Sequence, residues 1–267
     1  MTAEDGANAP VLHREWLMRG AGAPIVFVHG FGGDLNGWRP LSAQMKSEHG
    51  RVAVDLPGHG RSSLTGEISV EAFAAALEAT LAAEGVGPLH LVAHSFGATV
   101  AAAFTAKAPE RVRSLTLLSP GGLGPEMNWA FQQGFLAAQD EADLSRWLAH
   151  LVHDPARLGS AVARSTIRLR QTLPLVENQS RLSAALFADG EQKASIRPAL
   201  EAYPGPRRIV FGLEDRIVPA RRHAEGVPGA VALHLFAEVG HMPHLEARAE
   251  VARLIEDSVA AGERRAR

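Results

Sequence analysis

The stretch LVAHSFGA, residues 91–98, sets a serine between an apolar run and a chain of small residues. LHLVAH has strand character and FGATVAAAFTAKA has helical character, so Ser95 stands at a sharp strand-to-helix turn. Small residues two positions before and after such a serine, here Ala93 and Gly97, permit the turn and leave the hydroxyl projecting above a sheet. The pattern more often has glycine where Ala93 stands. Taken alone, it reads equally well as a serine capping a helix, so the role of the hydroxyl depends on what the rest of the chain brings to it.

Outward from this turn, short β-branched runs recur, each followed by turn residues and then by helical spacing. That alternation predicts an α/β fold with a mainly parallel central sheet flanked by helices. Strands are expected at IVFVHG from Ile25, RVAVDLPG from Arg51, LHLVAHS from Leu89, RSLTLLSP from Arg113, RRIVFGLED from Arg207 and AVALHLF from Ala230. Most are apolar on consecutive positions, as strands buried on both faces are. A helix is expected after Ser69, which caps it ahead of Val70, Phe73, Leu77 and Leu81 on one face. A second runs from Phe96 until Pro109 ends it, and a last spans Glu246 to Val259, with the tail AGERRAR frayed. Residues 122–202 carry helical spacing without a strand and read as a helical cap inserted after the strand ending near Ser119.

A serine hydroxyl needs a base to attack near neutral pH. His241, in FAEVGHMPHLE, follows the last expected strand. An imidazole needs an acid to fix its tautomer, and Asp215 in VFGLEDRIVP sits where the preceding strand ends, with Glu214 as its competitor. The loop after the strand at Arg113 offers Ser119, Pro120 and glycines but no acid. HGFGGD follows IVFV, and its glycines let the main chain bend inward. The N–H groups of Phe31 and Phe96 are the expected donors to a developing oxyanion, and His29 is expected to brace the loop. Gly30, Gly32, His94, Trp129 and Phe135 are the candidate substrate contacts.

Composition removes other classes. With 27 basic and 29 acidic residues and no basic stripe, nucleic acid is not an expected partner. The absence of cysteine removes disulfides, thiolate nucleophiles and Cys-ligated zinc. GFGGDL and GHGRSS lack the spacing of nucleotide-binding loops. His150 with His153, and His241 with His244, lack further ligands, so neither a metal nor a cofactor is expected. The opening MTAEDGANAP is polar and acidic, and no apolar run approaches the ~18 residues of a membrane span. A cytoplasmic protein with a small-molecule substrate and no membrane partner is expected, with homo-oligomer formation left open.

HGFGGDLNGW, DLPGHGRS, AHSFGA, GLEDRIVP and GHMPHLE together resemble the α/β-hydrolase superfamily over nearly the whole chain after about residue 20. The chain order Ser95, Asp215, His241 is the order of that superfamily. The resemblance implies that residues 1–121 and 203–267 form the core and 122–202 a lid. It also implies that Asp55 and His59 organise their loop without moving protons. Within the superfamily, Ser95 argues against the haloalkane dehalogenases and epoxide hydrolases, which use aspartate. HGFGGDLNGW, SPGGLGPEMN and GFLAA resemble more closely the catalytic domain of the acetyltransferase (E2) component of acetoin dehydrogenase. Too few residues precede Ile25 for the lipoyl domain such components carry, so a free-standing hydrolase is expected. The expected function is a serine hydrolase of a small carboxylic ester, thioester or lactone, acting through an acyl-enzyme. An acyltransferase related to E2, a carbon–carbon bond hydrolase and a ligand receptor on the same fold are the alternatives.

Overall fold

The computed structural model describes residues 9–267, apart from the side chains of Ser160 and Ala188; the opening MTAEDGAN lies outside the described residues. Its strands are β1 (Arg14–Met18), β2 (Ala21–Val28), β3 (His49–Val54), β4 (Leu89–His94), β5 (Val112–Leu118), β6 (Arg207–Gly212) and β7 (Ala232–Phe236). They form one sheet in the order β1-β3-β2-β4-β5-β6-β7. β1 pairs antiparallel with β3, and the remaining pairs are parallel. The helices are α1 (Arg39–Gln44), α2 (Val70–Ala83), α3 (Phe96–Lys107), α4 (Trp129–Ala137), α5 (Glu141–Leu148), α6 (Ser160–Thr172), α7 (Leu175–Leu186), α8 (Arg197–Ala202), α9 (Ala220–Glu225), α10 (Pro243–Glu246) and α11 (Arg248–Ala266).

Alternating side chains divide the core between the two faces of the sheet. Val26 and Val28 of β2 join Val52, Val54, Leu91, Ala93, Leu115 and Leu117 under α2, α3 and the inserted helices. Ile25 and Phe27 point the other way, to Leu35, Trp38, Leu41, Leu254, Ile255 and Val259. Burial on both faces explains why these strands are apolar at consecutive positions. β1 escapes sequence reading because it is a five-residue edge strand, half-buried throughout and without alternation.

The long helical insertion lies between β5 and β6 and makes the cap over the C-terminal ends of the strands. Its last helix, α8, packs on α3 of the core. We keep 122–202 as the proposed extent of the cap. The expected frayed tail is corrected: α11 runs to Ala266, because Gly262 lets it approach the Arg113 carbonyl, 2.6 Å from where a Cβ would stand, and Glu263 binds the Arg113 guanidinium at 2.5 Å.

The turn at residue 95 depends on a strained backbone and on one close approach. Ser95 takes φ 52°, ψ −122°, a region that costs about 1–3 kcal/mol for a non-glycine residue. A Cβ on Gly97 would stand 2.3 Å from the His29 carbonyl oxygen, so only glycine lets α3 begin this near β2. Gly97→Ala is expected to destabilise the protein by about 3 kcal/mol, read as a lower urea midpoint with unchanged slope.

Candidate active site

Ser95, Asp215 and His241 follow β4, β6 and β7, neighbouring or near-neighbouring strands whose C-terminal ends open on one rim. His241 Nε2 lies 2.9 Å from Ser95 Oγ, and His241 Nδ1 lies 2.7 Å from Asp215 Oδ2. The other oxygen, Asp215 Oδ1, accepts the N–H groups of Ile217 and Val218 at 2.8 and 2.9 Å. The carboxylate accepts and cannot donate, so His241 carries its proton on Nδ1 and offers a lone pair on Nε2 to the serine hydroxyl. Asp215 is fully buried at its side chain and His241 nearly so, which strengthens this interaction relative to water. The rival acid Glu214 points to solvent. Ser95 makes no side-chain capping bond to α3, so its hydroxyl serves the imidazole instead of the helix.

A second histidine supports the first. His94 Nε2 lies 2.8 Å from the His241 carbonyl oxygen, and since a carbonyl only accepts, the ring donates there. Burial, with His244 and His241 beside it, holds His94 well below the usual histidine range, so the ring is neutral. The His244 ring packs tilted against His94 at 4.6 Å and against Trp38 at 4.9 Å between ring centres. His94, expected as a substrate contact, is thus placed behind the imidazole. Glu246 was missed by sequence reading: its Oε2 accepts Gly240 N–H at 2.7 Å and its Oε1 accepts His153 N–H at 2.8 Å, tying the His241 loop to the cap.

The expected oxyanion turn follows β2. Gly33 N–H closes it on the Gly30 carbonyl at 3.1 Å with Phe31 inside the turn, while Phe96 opens α3 and its N–H has no intrahelical partner. Gly30 lies against the elbow, a Cβ there falling 2.8 Å from Ser95 Cβ. His29 Nδ1–H donates to the Gly30 carbonyl and its Nε2 accepts Leu56 N–H at 3.0 Å, one tautomer bracing two loops. Asp55 accepts Leu35 N–H and Arg61 N–H at 2.8 and 2.9 Å, which organises the loops around it. Burial and the neighbouring His29 push His59 down to about 3, leaving it neutral.

The cap closes over this turn with aromatic rings. Phe187, just after α7, stands edge-on to Phe31 at 5.8 Å and to Phe96 at 5.7 Å, bridging the two residues expected to supply the oxyanion donors. Phe135 packs on Gly32, 2.7 Å from where a Cβ would stand. Trp129 instead packs on Gly190, within the insertion. Nothing local to residue 187 signals its position. Phe187→Ala is expected to raise KM about tenfold for a small apolar substrate while changing kcat less, since it removes a wall and leaves the relay intact.

The expectation that no metal-ligating set exists rested on pairs close in sequence. Neither pair gains ligands among the described residues, but the fold brings His49, His90 and Glu263 together at the opposite end of the sheet.

A family model described as alpha/beta hydrolase fold matches residues 23–248. The chain belongs to the α/β-hydrolase fold family. Among curated relatives, this α/β-hydrolase is 32% identical to the dihydrolipoyllysine-residue acetyltransferase component of the acetoin cleaving system of Cupriavidus necator, over 90% of this chain and 64% of that protein. It spans under two-thirds of the length of the acetyltransferase components it matches. It is 26% identical to a 2-hydroxymuconate semialdehyde hydrolase of a Pseudomonas species, over 95% of both chains. The solved meta-cleavage product hydrolase from Pseudomonas fluorescens IP01 superposes with a TM-score of 0.80 at 19% identity, covering 92% of this chain and 94% of that one. These findings correct the expected kinship with the acetyltransferase component. The meta-cleavage product hydrolases match over more than nine-tenths of both chains, whereas the acetyltransferase components extend well beyond this chain. The glycines of HGFGGD have local packing reasons: Gly30 lies against Ser95 and Gly32 against Phe135. The α/β-hydrolase has the enzymatic fold with a helical cap, and no described helix is long and apolar enough to cross a membrane.

Proposed function

We propose that the chain is a serine hydrolase that cleaves a carbon–carbon bond beside a carbonyl in a small 2-hydroxy-6-oxo-dienoate, with Ser95 as nucleophile, His241 as base and Asp215 as its orienting acid. The observation that carries this reading is the 2.9 Å contact between Ser95 Oγ and His241 Nε2. The likeness over 95% of both chains to a 2-hydroxymuconate semialdehyde hydrolase supports the substrate class. In the keto tautomer of such a substrate, the serine attacks the C6 carbonyl as His241 takes its proton. The Phe31 and Phe96 amides hold the oxyanion, an arrangement worth about 3 kcal/mol per donor. Collapse breaks C5–C6, the electron pair passing through the alkene to the C2 oxygen, and His241 returns its proton to the leaving dienolate. Water activated by His241 then releases the acid from Ser95.

A second reading is hydrolysis of a small carboxylic ester by the same residues. It is favoured by the rings around the turn, Phe31, Phe96, Phe135 and Phe187, which are uncharged and suit a neutral substrate. Steady-state kinetics on a 2-hydroxy-6-oxo-dienoate and on p-nitrophenyl acetate separate the two. The first reading expects kcat/KM at least tenfold higher for the dienoate. A preference for the ester of that size overturns it in favour of the second.

A further inference from the structure

At the end of the sheet remote from Ser95, His49 opens β3, His90 lies in β4 and Glu263 projects from α11. A ring nitrogen of each histidine and a carboxylate oxygen of Glu263 lie within 4.8 Å of one another. His49 is already oriented as a metal ligand requires. His49 Nδ1 lies 2.8 Å from the Ala23 carbonyl oxygen, so that nitrogen donates and Nε2 keeps its lone pair. His90 Nε2 donates to Glu263 Oε1 at 3.0 Å, and its Nδ1 lies 2.8 Å from Ser114 Oγ, whose hydroxyl accepts as readily as it donates, so a metal that takes the Nε2 position leaves the ring proton on Nδ1 with Ser114 as its acceptor.

Glu263 holds the set together. Its Oε1 lies 3.0 Å from His90 Nε2 and 2.5 Å from the Arg113 guanidinium, which fixes the carboxylate and leaves Oε2 uncommitted. Zinc bonds of 2.0–2.2 Å in a tetrahedron place ligand atoms about 3.4 Å apart. His90 Nε2 and Glu263 Oε1, 3.0 Å apart, lie within about 0.4 Å of that spacing. Closing the remainder needs a shift of about 1 Å by His49, which is only half-buried. A depression of about 450 Å³, lined by Ser47, His49, Glu256 and Glu263, with Arg264 and Arg267 at its edge, leaves room for a fourth ligand from water. Glu256, whose Oε1 accepts the Lys46 and Ser47 N–H groups, adds a second carboxylate to the wall of this depression.

We propose that His49, His90 and Glu263 form a binding site for a divalent transition-metal ion of the zinc type, which joins α11 to β3 and β4 and is separate from the Ser95 site. Three protein ligands from three elements form the site only in the folded chain, so bound metal stabilises the fold.

The test uses the full chain without a polyhistidine tag, stripped with chelator and titrated with ZnCl2 at pH 7.5 by calorimetry and by thermal unfolding. One equivalent is expected to bind, with a rise in Tm of about 4 °C at a hundredfold excess over Kd. His49→Ala and Glu263→Gln are each expected to weaken binding at least tenfold, with circular dichroism showing both folded. Absence of binding to the wild type, or an unchanged affinity in either variant, overturns the proposal.

Discussion

Asp215→Asn is expected to lower kcat about 10⁴-fold while leaving the protein folded. The size of the effect follows from how the carboxylate is held. Asp215 Oδ1 accepts two backbone amides, from Ile217 and Val218, so an asparagine amide must keep its oxygen there. Its nitrogen is then turned toward His241 Nδ1, where Oδ2 had accepted. Two donors cannot face each other, so His241 gives up the proton on Nδ1 and carries it on Nε2. Ser95 is left facing an N–H in place of a lone pair. The check is kcat together with a urea unfolding curve: a loss below tenfold with normal stability means that Asp215 does not set the tautomer.

Acid is expected to weaken the fold well before its carboxylates titrate. Burial, with His29 nearby, pushes His59 down to about 3, and burial, with His241 and Arg248 nearby, does the same to His244. Each ring stays neutral in the folded chain but takes a proton near 6.5 once unfolded. The unfolded state therefore binds more protons between about pH 3 and 6.5, and stability falls as pH drops through that window and is flat above it. At pH 5 the loss is about 2 kcal/mol for each of the two, a large share of the 5–15 kcal/mol that a domain typically has. His94, also shifted down by burial, adds to it. Glu84 and Glu263, whose carboxyls are held below their ordinary range by Trp16, Arg14, Arg113 and His90, lose their contribution only at lower pH. Urea unfolding at pH 7.5 and 5.0 thus isolates the histidines. Equal stability at the two values contradicts their neutral burial.

The sheet and the Ser95, His241 and Asp215 set are legible in the sequence for one reason. Strands buried on both faces are apolar on consecutive positions, and Ser95 and Asp215 follow two of them, β4 and β6, within a few residues, while His241 follows the exposed edge strand β7. Their distance along the chain does not hide them, because the strand ends mark where they converge. Other contacts leave no such mark. Phe187 reaches Phe31 and Phe96 only because the cap folds back, and its neighbours are more than ninety residues away in sequence. His49, His90 and Glu263 come from two strands and the last helix, and no spacing rule joins them. His94 was visible, but a side chain flanking a nucleophile reads as facing substrate, whereas here the sharp turn at Ser95 sends it beneath His241.

The most direct test is labelling with a fluorophosphonate, followed by peptide mass spectrometry, on the wild type and on Ser95→Ala and His241→Gln. The account predicts a stoichiometric adduct on Ser95 in the native wild type, none in Ser95→Ala, and labelling slowed at least a hundredfold in His241→Gln. An adduct on another residue, or equal labelling rates with and without the imidazole, would contradict the claim that His241 makes Ser95 a nucleophile.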